Sequence, residues 1–147
     1  MIEAFLFKIS SFKSSFTKLS IIPFQFRQLV YNLISNALKF TIENKTPQII
    51  INSKIVDGSS LQKEFHSKNI TYCHISLSDN GIGFDQKYSH KIFDVFQRLH
   101  SRVEFAGTGI GLAIVKKIVD NHNGFISAEG ELGNGATFNI YLPYLKQ

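Results

Sequence analysis

The glycine run Gly107-Thr108-Gly109-Ile110-Gly111-Leu112 constrains this chain more than any other feature. It opens a strongly helical, apolar stretch, Gly109 to Asn121, ended near Asn123-Gly124. Backbone N–H groups at such a helix start hold anions, helped by the positive end of the helix dipole. The run fits neither common nucleotide motif. It lacks the Gly-Lys-Ser/Thr of a P-loop, its third glycine follows the second by two residues, and a polar stretch rather than a strand precedes it. Rossmann and P-loop folds are therefore disfavoured. The plainer reading of the run is a flexible connector.

The rest of the chain supplies helices interspersed with paired strands. Pro23 suits the first turn of a helix on which Phe26, Leu29, Val30, Leu33, Ile34, Ala37 and Leu38 recur at steps of three and four. Gln48 to Val56 and Thr71 to Ser78 read as strands joined by a long polar loop from Asp57 to Ser67. Phe5 to Ile9 reads as an edge strand, and Tyr88 to Leu99 places Ile92, Phe93, Phe96 and Leu99 on one helical stripe. Phe125 to Glu129 and Ala136 to Leu142 alternate, with Gly130, Gly133, Asn134 and Gly135 turning the chain between them. This pattern predicts an α+β fold, a two-layer α/β sandwich with helices on one face of a mixed, mostly antiparallel sheet.

Composition excludes several classes. The 147 residues fit one domain, 44% hydrophobic content supports an ordinary core, and 14 Phe with no Trp make that core phenyl-rich. The net charge of +5 is scattered, so no nucleic-acid footprint is expected. The single Cys73 lies in an apolar run and rules out an intramolecular disulfide. Neither a signal peptide nor a run of ~18 apolar residues is present, so a soluble, cytoplasmic chain is expected, with no membrane contact of its own.

Two further segments carry chemistry. Asn32, Asn36 and Lys39 fall on one polar helical stripe opposite the apolar one. A side-chain amide oxygen is a hard, neutral ligand suited to Mg²⁺ when phosphate carries most of the compensating charge, and Lys39 would reach a phosphate oxygen. Taken alone, this stripe reads better as a solvated helix face. Asp79-Asn80-Gly81-Ile82-Gly83-Phe84 follows directly on a strand, so Asp79 falls at a sheet end. Its carboxylate can accept a hydrogen bond from an exocyclic amine while the glycines let backbone approach the ring. The bland alternative is an Asp-Asn-Gly turn. Arg98 closes the Phe-rich segment, and residues 100–106 lack any period and could form a lid carrying Arg98 to a terminal phosphate. On its own, Arg98 is an ordinary helix-end cation.

In this order, the segments resemble the catalytic ATP-binding domain of sensor histidine kinases, in the superfamily shared with gyrase and a heat-shock chaperone. Asn32 to Thr41 is similar to its N box, Asp79 to Phe84 to G1, Ile92 to Arg98 to F, Gly107 to Leu112 to G2, and Gly133 to Pro143 to its closing strand. Phe96 to Arg102 is most similar to phytochrome-type and related PAS-containing kinases. The resemblance implies a Bergerat fold binding ATP with Mg²⁺, with residues 1–22 an extension and 23–147 the catalytic domain. It implies Asn36 as principal metal ligand with Asn32 beside it, and Lys39 and Arg98 on phosphates. Phe40, Asp79, Gly81, Ile82 and Gly83 would surround adenine, with Thr137 supporting the Asp79 contact directly or through water. Gly107, Thr108, Gly109, Gly111 and Leu112 would line the phosphates.

Relatives that hydrolyse ATP carry a glutamate four residues before the metal-binding asparagine. Asn32 stands there, and an amide is no general base. The resemblance thus implies a histidine kinase that presents the γ-phosphoryl group to a histidine on a separate dimerisation domain, with a response regulator further downstream. None of the five histidines has the helical, acid-flanked context of a phosphoacceptor. The chain reads as a fragment, monomeric by itself. The alternatives are a nucleotide-gated interaction module and an anti-sigma-type serine kinase of the same fold.

Overall fold

The computed structural model describes residues 6–9 (backbone), 19–61, 70–95 and 109–144. Helix α1 runs Pro23–Lys39, begins at a proline, and has Lys39 in its last turn, where a cation suits the carbonyl end of the dipole. Its apolar period buries Leu29, Leu33 and Ala37, each four residues apart. Helix α2 runs Gly111–Asn121 and buries Val115, Ile118 and Val119. The two helices pack against each other and onto one face of the sheet.

The strands are β1 (Leu6–Ile9), β2 (Gln48–Asp57), β3 (Thr71–Asp79), β4 (Phe125–Glu131) and β5 (Gly135–Tyr144), in the spatial order β1-β2-β3-β5-β4. The β1–β2 pair is parallel and the other three pairs are antiparallel. The predicted two-layer α+β sandwich with a mixed, mostly antiparallel sheet is what forms, and β1 is the predicted edge. Period-two alternation sends Leu77, Phe138, Ile140, Leu142, Ile126 and Ala128 to the helix-covered side. There they meet Leu29, Leu33, Val115 and Val119, which together with Ile140 are the largest fully buried side chains. Truncating one of these leucines to alanine removes about 2–5 kcal/mol.

The other sheet face carries Tyr72, His74, Phe125, Asn139 and Tyr141. Tyr141 stacks on His74 at 4.4 Å and on Phe125 at 4.4 Å. The His74 Nε2 lies 2.9 Å from the Asn139 Oδ1, and the Asn139 amide donates to Glu129 at 3.3 Å. Cys73 is buried and free, and burial pushes its thiol up.

One sequence expectation is corrected. The stripe from Tyr88 to Leu99 is not an α-helix over its described part: Gln86–Tyr88 and Lys91–Phe93 form single 3₁₀ turns. Asp85 caps the first through its bond to the Lys87 amide, and Phe93 is followed by Asp94 in extended geometry, which stops the second. Ile92 still reaches the core, because one turn suffices to bury it. Phe96, Arg98, Leu99 and the expected lid lie outside the described residues.

Candidate nucleotide site

The β3 strand delivers Asp79 to the sheet end, opposite Ile49 of β2. Asp79 Oδ1 accepts from the Gly81 amide at 2.9 Å and the Ala136 amide at 3.3 Å. Both bonds fall on one oxygen, and Oδ2 takes neither. Burial pushes this carboxyl above its ordinary value, against the lowering effect of the two amide bonds.

Three pieces of backbone clamp the turn after Asp79. The Ile82 amide donates to the Phe40 carbonyl at 2.8 Å, tying the turn to the end of α1. The Gly133 amide donates to the Ile82 carbonyl at 2.8 Å, tying it to the β4–β5 turn. Asn80 accepts from the Gln48 amide at 2.9 Å and donates to the Thr46 carbonyl at 3.0 Å, docking the α1–β2 connection. Gly83 takes φ of 64°, and a β-carbon on it would lie 2.0 Å from the Glu131 carbonyl oxygen. Only glycine fits there. Phe84 is buried over Gly130, whose missing side chain leaves room for the ring.

The α1 helix links this turn to a second cluster. Asn36 and Phe40 sit one helical turn apart, joined by the Phe40 amide donating to the Asn36 carbonyl at 2.9 Å. Lys39 holds its Nζ 4.7 Å from the centre of the Phe40 ring. One turn back, Asn32 joins Asn36 against the start of α2. A β-carbon placed on Gly111 would lie 3.9 Å from Asn32 Oδ1 and 4.0 Å from Asn36 Oδ1. The N-terminus of α2 has no side-chain cap and no acid in its first turn. Asn32 Nδ2 is buried with no hydrogen-bond partner among the described residues. An orphaned amide donor beside uncapped helix N–H groups is a site built for an anion.

The structure thus brings Asn32, Asn36 and Gly111 together, and sets the Phe40 carbonyl against Gly81 and Ile82. Along α1, the levels of Asn32 and Phe40 are about 12 Å apart. Leu112, the next residue of α2, is partly buried and packs on the core. The helix begins at Gly111 rather than Gly109, and Gly109 has a φ of 72°. Thr137 makes no direct bond to Asp79 in the structure: its hydroxyl bonds that of Ser78 at 2.8 Å, and the Ala136 amide reaches the carboxylate. Thr137 pairs with Ser78, one residue before Asp79, so the pleat turns its side chain to the other face. Arg98, Gly107 and Thr108 lie outside the described residues. Sequence reasoning overlooked Asn80 and Ala136. The only signal for Asn80 was its place between Asp79 and Gly81, and Ala136 acts through backbone alone.

Comparisons with known proteins agree with this fold. Residues 22–146 match the family described as histidine kinase-, DNA gyrase B-, and HSP90-like ATPase. Cyanobacterial phytochrome A of Nostoc sp. (strain PCC 7120 / SAG 25.82 / UTEX 2576) is 45% identical over 119 residues, which is 81% of this chain and 14% of that protein. The chain therefore spans about a seventh of that relative. Among solved structures, a mycobacterial sensor histidine kinase, MprB, superposes with a TM-score of 0.68 at 20% identity, covering 97% of this chain and 83% of that one. Full-length ShkA in complex with AMPPNP superposes with a TM-score of 0.66 at 25% identity, covering 96% of this chain and 25% of that one. With this fold and the family match over residues 22–146, the chain belongs to the histidine kinase-, DNA gyrase B- and HSP90-like ATPase family, and its sequence is similar to the corresponding segment of phytochrome-type proteins.

Proposed function

We propose that this domain binds ATP with Mg²⁺ and donates the γ-phosphoryl group to a histidine on a separate dimerisation domain, with a response regulator as eventual recipient. The catalytic unit begins at Pro23. Asp79 Oδ2 accepts from the adenine amine, while Gly81, Ile82 and Gly83 leave the backbone close to the ring and Phe40 borders it. Asn36 and Asn32 offer amide oxygens to the metal. Among the described residues no three His, Cys, Asp or Glu side chains cluster to hold a metal by themselves, which suits an ion whose remaining ligands are phosphate and water. When bound, the ion supplies charge neutralisation on the phosphates. Lys39, Arg98 and the first amides of α2, with Gly107, Thr108 and Gly109 leading into them, add positive potential.

The observation that carries transfer over hydrolysis is Asn32. It occupies the place where an acid would activate water, and its amide cannot take a proton. Water is left without a base, and the terminal phosphoryl group awaits an outside nucleophile. No described helix is long and apolar enough to cross a membrane.

The test mixes this chain with the helical dimerisation domain of a phytochrome-type kinase and ATP labelled at the γ position. The expected product is acid-labile, base-stable label on the partner's histidine and stoichiometric ADP. Acid-stable label on a serine would assign an anti-sigma-type kinase instead. Nucleotide binding with no transfer would leave an interaction module.

A further inference from the structure

His122 belongs to none of the motifs, yet both its ring nitrogens are engaged. Nε2 accepts the Ile22 amide proton at 2.9 Å, and Nδ1 lies 2.7 Å from the Ile118 carbonyl oxygen. An amide can only donate and a carbonyl can only accept, so the ring proton must sit on Nδ1. The histidine therefore links the residue after α2 to the residue before α1, a separation of 100 positions. Ile22 is the N-cap of α1 and has no side-chain cap of its own. Next to this link, Asn121 Nδ2 and Gln25 Oε1 approach to 3.5 Å across the same pair of helix ends.

The two helices run antiparallel. The end of α2 meets the start of α1 at His122, and the start of α2 meets Asn32 and Asn36. Eleven residues of α2 make a lever about 16 Å long. At its far end lies the gap between Gly111 and the two asparagine amides. A rotation of about 4° about the His122 end would move Gly111 by about 1 Å, and misplacements of that size cost up to about a hundredfold in function. We infer that His122 is a positioning residue for the nucleotide site, a two-ended staple that sets the angle between α1 and α2 and so the width of the metal- and phosphate-binding gap. This inference rests on the nucleotide reading of that gap.

The test measures Mg-ADP affinity of the whole chain by calorimetry, well below every variant's melting temperature. His122→Phe keeps a ring and loses both bonds; its Kd should rise about tenfold. His122→Gln carries a donor and an acceptor on one planar group and should stay within about twofold of the parent chain. Ile22→Pro removes the same amide proton from the other side, in a residue whose φ of −84° tolerates proline. It should raise Kd about tenfold by itself, whatever the stability of the Phe variant. Combining Ile22→Pro with His122→Phe should cost little more than either alone. Parent-like affinity in the Phe and Pro variants overturns the staple and leaves the nucleotide reading standing. A Gln variant as weak as Phe also overturns it. Failure of the unsubstituted chain to bind Mg-ADP overturns the nucleotide reading, and this inference with it.

Discussion

Gly135 passes so close to Asp79 that a β-carbon on it would lie 2.0 Å from the Asp79 carbonyl oxygen. The glycine turn before β5 thereby presses the backbone of the closing strand onto the carboxylate's own residue. The Ala136 amide next to it reaches Asp79 Oδ1.

That contact separates two glycines of the same turn. Gly135 has φ of 91° and no space, whereas Gly133 has φ of 79° and nothing within 4 Å of its would-be β-carbon. Gly133→Ala should cost only conformational strain, about 1–2 kcal/mol. Gly135→Ala carries the same strain and must also push the strand away from Asp79. It should therefore lose more stability in urea melts and weaken nucleotide binding as well. Equal losses from the two substitutions would show that the close approach is unimportant.

Asp79→Asn should separate binding from stability. Burial raises the Asp79 carboxyl in the folded state, so above that raised value the fold carries a charge it would rather neutralise. The resulting penalty is fully present above that raised folded value and fades as pH falls through it towards the ordinary carboxylate range. Asparagine keeps an acceptor for the Gly81 and Ala136 amides and has no charge. The variant should melt no lower than the parent at pH 7, while ATP affinity falls by about 1.5–3 kcal/mol. A lower melting temperature with unchanged affinity would invert the assignment.

Asn36→Ala should abolish the Mg²⁺ dependence of nucleotide binding, because it removes one of the two amide oxygens facing Gly111. Titrating nucleotide with and without Mg²⁺ reads this directly. Preserved metal linkage would move the ligand elsewhere.

The far sheet face predicts a pH effect of its own. Burial lowers His74, and its bond to Asn139 and the Glu129 charge only partly oppose this, while Lys54 adds to the lowering. The folded state thus favours the neutral ring. The associated stability is complete above the unfolded value of about 6.5 and is lost as pH falls through the depressed folded value. Melting temperature should drop between pH 7 and 5, and His74→Gln should flatten that drop. An identical slope in the variant would exclude His74 as the source.

Periodicity determined the elements of this protein directly from the chain. The steps of three and four from Phe26 to Leu38 gave α1 its buried stripe, and alternation in β3 and β5 chose the covered face, because apolar spacing is a local property. The same locality put Asn32 and Asn36 on one stripe and Asp79 at a strand end. It misled over the described part of the Tyr88 to Leu99 stripe, where apolar spacing matched a helix but Asp85 and Asp94 bound short 3₁₀ turns. What only tertiary structure decided was which distant groups meet. Gly111 opposes asparagines some 75–79 positions away, the Ala136 amide reaches the Asp79 carboxylate, and Asn80 and His122 close gaps between segments. Those contacts depend on how the helices lie on the sheet and on strand register. Both are set by the packing of the whole core, which no local window of sequence contains.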